Sequence, residues 1–187
     1  YNSYIGYQTG HQNQNGDYNV MIGYRAGYSN VQGYNTFIGY LSGYSNTSGV
    51  RNVFIGYQTG HDNAGGYDNV FLGSSAGFNN TSGGDNLFIG PYSGYGNETG
   101  NFNIFIGNRA GRINSGASNV FMGYQTGYEN TVGSNNVFIG WKSGNQNKEP
   151  NGNVFIGFAS GINNSFGGTT DDEGSVNTFL GCYSGYD

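Results

Sequence analysis

The sequence predicts an all-β fold, a parallel β-solenoid or β-roll of about eleven coils of 17 residues. Three observations predict it: a triplet that recurs at near-constant spacing, Gly and Asn slots that recur with it, and the lack of any helical apolar period. The triplet is an aromatic residue (once Met), then Ile, Leu or Met, then Gly. It starts at Tyr4, Met21, Phe37, Phe54, Phe71, Phe88, Phe105, Phe121, Phe138, Phe155 and Phe179. Seven of the spacings are 17, two are 16 and the last is 24. A unit this short cannot bury its own apolar face, so it must stack on its neighbours.

Each coil opens with a strand. The residue before the aromatic is mostly β-branched, as in Val53, Val70 and Val137, giving the run Asn-Val-Phe-Ile-Gly. Such a run is a short strand by composition, closed by Gly. Two residues before the aromatic every copy carries Asn, including Asn19, Asn52, Asn69 and Asn136. Asn at a fixed turn position hydrogen-bonds local backbone and can stack on the next Asn as an amide ladder. Four residues after the triplet's Gly stands a second Gly, as at Gly60 and Gly127, always preceded by Ser, Thr or Ala. Gly at two fixed points implies positive φ or close approach to the next coil. Three residues further, every complete copy has a second Asn, from Asn13 to Asn164. No segment sustains apolar spacing at i, i+3, i+4, i+7, and the frequent Gly opposes a helix. In the stack, Phe54, Phe71 and Phe138 are expected to form one ladder, Ile55 and Ile139 another, and the Asn a third.

The whole of 1–187 is read as a single repetitive segment, an excerpt of a longer chain, with residues 165–176 as an inserted loop. Alternation along the strand sends Val and Ile to one face and Phe to the other. Both faces are apolar. One can line the coil, and the other would leave a long aromatic stripe in water. Two further copies of the chain are the simplest cover, so a trimeric fibre is expected, with a monomeric coil of two internal layers as the alternative. The Tyr slot after the triplet's Gly (Tyr7, Tyr24, Tyr40, Tyr57, Tyr124) varies to Ser74, Pro91, Asn108, Trp141 and Phe158. Its variation points to the rim, where a ring packs and its hydroxyl stays wet.

Composition narrows the function classes. Six Lys and Arg against eleven Asp and Glu give a net charge of −5, which disfavours nucleic acid as a partner. No apolar run approaches the ~18 residues of a membrane helix, so membrane insertion is not expected. The single Cys, Cys182, excludes an intrachain disulfide framework.

Residues with chemistry are few. Asp171, Asp172 and Glu173 form the one acidic cluster, inside the insertion, and read first as a solvated loop. Their alternative use is to bind a cation or a glycan, or to supply carboxylates to a glycosidase. Gly-Gly-Tyr-Asp and Gly-Gly-Asp runs from Gly65 and Gly83 are similar to calcium-binding nonapeptides, but the period is wrong. His11 and His61 occupy a slot that holds Tyr in other copies, so they read as substituted aromatics. No metal site, cofactor or catalytic residue is expected, and the chain is read as a non-enzyme.

Residues 52–60 (Asn-Val-Phe-Ile-Gly-Tyr-Gln-Thr-Gly) and 119–127 (Asn-Val-Phe-Met-Gly-Tyr-Gln-Thr-Gly) resemble repeats of bacterial and phage tail-fibre-type proteins. They are also similar to a lengthened form of the head repeats of trimeric autotransporter adhesins. The resemblance spans nearly the whole chain. It implies a trimeric parallel β-roll outside a cell or on a virion, working as shaft, spacer or adhesin. This sequence departs from the adhesin heads in repeat length and in carrying Phe where they have a small residue.

The first functional expectation is thus a structural or adhesive fibre segment that presents a surface- or glycan-binding tip. Tyr24, Tyr57, Tyr124 and Trp141, with Asp171 and Asp172, are its candidate surface-binding residues for a cell-surface glycan. An ice- or glycan-surface-binding solenoid ranks second. A polysaccharide-cleaving tailspike ranks third.

Overall fold

A computed structural model describes residues 1–149, 151–164 and 175–186. The chain winds as an all-β parallel solenoid, with no helix among the described residues. Each coil contributes one three-residue strand: β1 (Ser3–Ile5), β2 (Val20–Ile22), β3 (Thr36–Ile38), β4 (Val53–Ile55), β5 (Val70–Leu72) and β6 (Leu87–Ile89). The series continues through β7 (Ile104–Ile106), β8 (Val120–Met122), β9 (Val137–Ile139), β10 (Val154–Ile156) and β11 (Thr178–Leu180). The eleven strands form one sheet in strict sequence order. Register never slips: Phe37 lies beside Phe54, Phe54 beside Phe71, and Ile38 beside Ile55. Coils of 16 residues keep this register as well as those of 17, because the strand code fixes the pairing and the turns absorb the missing residue.

Alternation sets the core, and it corrects the expected surface. The Phe side chains at the centre of the strands, from Phe37 in β3 to Phe155 in β10, point inward and are fully buried. Their rings stack at 4.6–5.0 Å between centroids along the axis. Met21 continues this column at one end, and Phe179 continues it at the other, 4.9 Å from Phe155. The strand's outer face is therefore not an aromatic stripe. It carries two aliphatic rows, led by Val53, Val70 and Val120 on one side of the Phe position and Ile38, Ile55 and Ile89 on the other. These are half-buried to exposed. Phe takes the inside because the interior faces only a small residue (Ala26, Ser42, Thr59, Ala76) and a Gly, leaving room for a large flat ring.

That Gly is required. A Cβ on Gly60 would lie 2.5 Å from the Phe54 ring, and its φ of +56° is the left-handed region. The triplet's Gly is fixed by a different neighbour: a Cβ on Gly39 would overlap the Gly56 carbonyl of the next coil. Gly56 itself sits at φ +143°.

Two amide ladders line the remaining interior. In the first, each Asn side-chain oxygen accepts the backbone N–H of the Asn one coil on, at 3.0 Å from Asn69 to Asn52 and from Asn86 to Asn69. Its amide nitrogen donates to a Gly carbonyl, as Asn69 does to Gly83 at 2.8 Å. In the second, Asn63 donates to the Asn46 oxygen at 2.7 Å and Asn80 to that of Asn63 at 2.6 Å. Buried hydroxyls are used too: Thr59 donates to the Gly73 carbonyl at 2.7 Å and Ser42 to that of Phe54 at 3.0 Å. No buried side-chain nitrogen or oxygen among the described residues lacks a partner. A polar interior is tolerable only in that condition, since each orphan costs about 1–3 kcal/mol.

Candidate functional site

With the interior filled by Phe and Asn, the groups open to a partner are the outer ladders. The Tyr slot follows the triplet's Gly, and the strand register carries it up the rod. Tyr7, Tyr24, Tyr40 and Tyr57 stack in succession, with centroids 5.5, 5.3 and 5.3 Å apart and planes within 14°. All four are exposed. The column stops where the slot holds Ser74, Pro91 and Asn108 and resumes at Tyr124, Trp141 and Phe158. Trp141 lies 4.5 Å from the Phe158 ring and has the Lys142 ammonium 4.5 Å from its centroid.

A second column runs His11, Tyr28, Tyr44, His61, Phe78 and Tyr95. Arg112 continues it: its guanidinium stands 5.4 Å from the Tyr95 ring and 5.5 Å from that of Tyr128, a flat cation serving as a rung. Both histidines thus sit in aromatic positions, and the His61 Nδ1 is 2.6 Å from the Asp62 carboxylate. A third, shorter column is Tyr1, Tyr18 and Tyr34.

This geometry decides what the rings can do. A sugar stacks on the face of an aromatic ring, but inside a column each face is covered by the neighbouring rung. Tyr24 therefore offers its edge and hydroxyl. Where the Tyr-slot column is interrupted, Tyr57 has no aromatic rung on its Ser74 side and Tyr124 none on its Asn108 side among the described residues. Trp141 is covered by Phe158 and Lys142 and is no open platform.

Charged groups are sparse. Arg51 forks onto Asp68 of the next coil at 2.6 and 2.7 Å. That hydrogen bond holds the Asp68 carboxyl below the ordinary aspartate range and lifts Arg51, with burial opposing both. Asp171, Asp172 and Glu173, and with them residues 165–174 of the expected insertion, lie outside the described residues. Among the described residues no three His, Cys, Asp or Glu come together as a metal-holding group. No helix there is long and apolar enough to cross a membrane. Cys182 is exposed, in the Tyr slot.

Sequence reasoning missed the backbone of the turns. Two non-Gly residues in most coils have left-handed φ, among them Leu41 (+53°), Tyr92 (+57°), Phe102 (+58°) and Asn135 (+61°). Their types are mixed, so no residue signature marks the slot.

Comparison with protein-family models, with curated proteins and with solved structures finds no match to this chain.

Proposed function

We propose that this chain is a rigid structural or adhesive segment of an extracellular or virion fibre, built from three copies of an eleven-coil rod. The observation that supports this reading is the double aliphatic row on the outer face of the sheet. Ile55, Ile104, Met122 and Ile156 remain 38–39% exposed in the single chain. At ~4.8 Å per strand and ~7 Å between the rows, the face is about 50 Å long and on the order of 400 Å². A patch of that size is as large as the largest on typical single-chain proteins, where such patches often serve a function. A row that repeats once per strand also suits a partner of the same pitch, which a second copy of the chain supplies by construction. The mechanical role follows from continuous strand pairing and ring and amide columns, which resist bending.

Sedimentation equilibrium tests the assembly. A mass near three times 20.0 kDa is expected. Ile55→Lys with Ile89→Lys, placed on the outer row, is expected to return the mass to that of a single folded chain. A wild-type chain that is a stable, soluble monomer overturns the trimer. A lone solenoid displaying a glycan-binding surface then becomes the better reading.

A further inference from the structure

We propose that the column Tyr7–Tyr24–Tyr40–Tyr57 is a site of oxidative cross-linking, at which tyrosines of consecutive coils join as dityrosine. Phenol coupling needs two rings held side by side with their ortho carbons accessible. Here the centroids stand 5.3–5.5 Å apart and the planes are nearly parallel. The backbone clamps that register: the N–H of Arg25 donates to the Tyr7 carbonyl at 2.9 Å, Leu41 to Tyr24 at 3.0 Å and Gln58 to Tyr40 at 2.8 Å. The rings are between 40 and 62% exposed, so an oxidant reaches them.

The reactant is a peroxide acting through a one-electron oxidant such as a haem peroxidase. Each of two neighbouring phenols gives up one electron and its hydroxyl proton, forming two phenoxyl radicals. An ortho carbon of one ring bonds to an ortho carbon of the next. The hydrogen on each of those carbons then moves to oxygen and restores both phenols. In balance, two tyrosines and one hydrogen peroxide give one dityrosine and two waters. The new bond ties one coil to the next and so opposes unravelling of the rod turn by turn. Sites in this slot end at Tyr57, because Ser74, Pro91 and Asn108 follow and Tyr124 faces Trp141.

The test treats the full chain, dilute and folded, with peroxidase and hydrogen peroxide. Products are digested, reduced to remove any disulfide through Cys182, and mapped by mass. Linked peptides two hydrogens lighter than their sum, joining Tyr7 to Tyr24, Tyr24 to Tyr40 and Tyr40 to Tyr57, are expected. Pre-alignment should enrich them roughly ten-fold or more over the same chain treated in urea. Tyr24→Phe with Tyr40→Phe keeps every ring and removes all three links, while coupling between the exposed, stacked Tyr18 and Tyr34 persists. Links confined to different chains, links without neighbour preference in the folded chain, or no dityrosine at all would each overturn the proposal.

Discussion

Replacing Phe88 with Ala tests the central claim of the packing, that the aromatic row is inside and the aliphatic rows outside. Phe88 is fully buried, and its ring stacks at 4.6 Å on Phe71 and 4.9 Å on Phe105. Burying the ring contributes about 1.5–3 kcal/mol. The two stacks add about 0.5–1.5 kcal/mol each. With backbone Gly bordering the column, collapse around the hole is limited, so the loss should reach about 3–5 kcal/mol, the usual range for a core Phe→Ala. Ile89→Ala on the neighbouring outer row should cost under about 1.5 kcal/mol in the monomer, because the half-exposed side chain leaves no sealed cavity. Urea unfolding followed by circular dichroism gives both values. Hydrogen exchange coil by coil guards against partial unfolding, which a quasi-one-dimensional rod permits. If Ile89→Ala costs as much as Phe88→Ala at a concentration where the chain is monomeric, the inside–outside assignment is wrong.

Three further outcomes are expected. Asn69→Ala strands the buried Asn86 N–H and leaves the Gly83 carbonyl with Asn80 as its remaining side-chain donor, and should cost about 1–3 kcal/mol in the same urea assay. A loss below about 1 kcal/mol would mean that water replaces the amide. Phe102→Gly relieves a left-handed backbone at φ +58° on an exposed residue. That strain is about 1–2 kcal/mol, against about 0.5–1 kcal/mol of added unfolded-state entropy, so stability should hold or rise slightly. Finally, Asp68 titrates below its unfolded value, so the stability contributed by its pair with Arg51 is complete above the ordinary aspartate range and is lost as pH falls through the lowered folded value. The pair is exposed and the effect small, so wild type and Asp68→Asn should differ slightly at neutral pH and converge in acid. A gap that widens in acid contradicts the assignment.

The sequence alone was enough for the coil length, the strand positions, the parallel register and the absence of helix in the repeat. The physical reason is redundancy: the same Asn, Phe and Gly slots return in copy after copy, and each copy constrains the others. The positions of Gly60 and Gly127 were legible for the same reason, since only Gly fits beside the Phe ring at positive φ. Tertiary structure decided what periodicity leaves symmetric. Alternation in Val-Phe-Ile separates two faces but does not say which is inner, and it was the small Ser, Thr or Ala and Gly across the coil that admitted the ring to the interior. It decided that the Tyr rings cover one another's faces, since a ring's orientation relative to the next coil depends on coil spacing and not on its own identity. It also decided the left-handed turns at residues as unlike as Leu41 and Phe102, where the closing geometry of the coil and its hydrogen bonds to neighbouring coils override local preference.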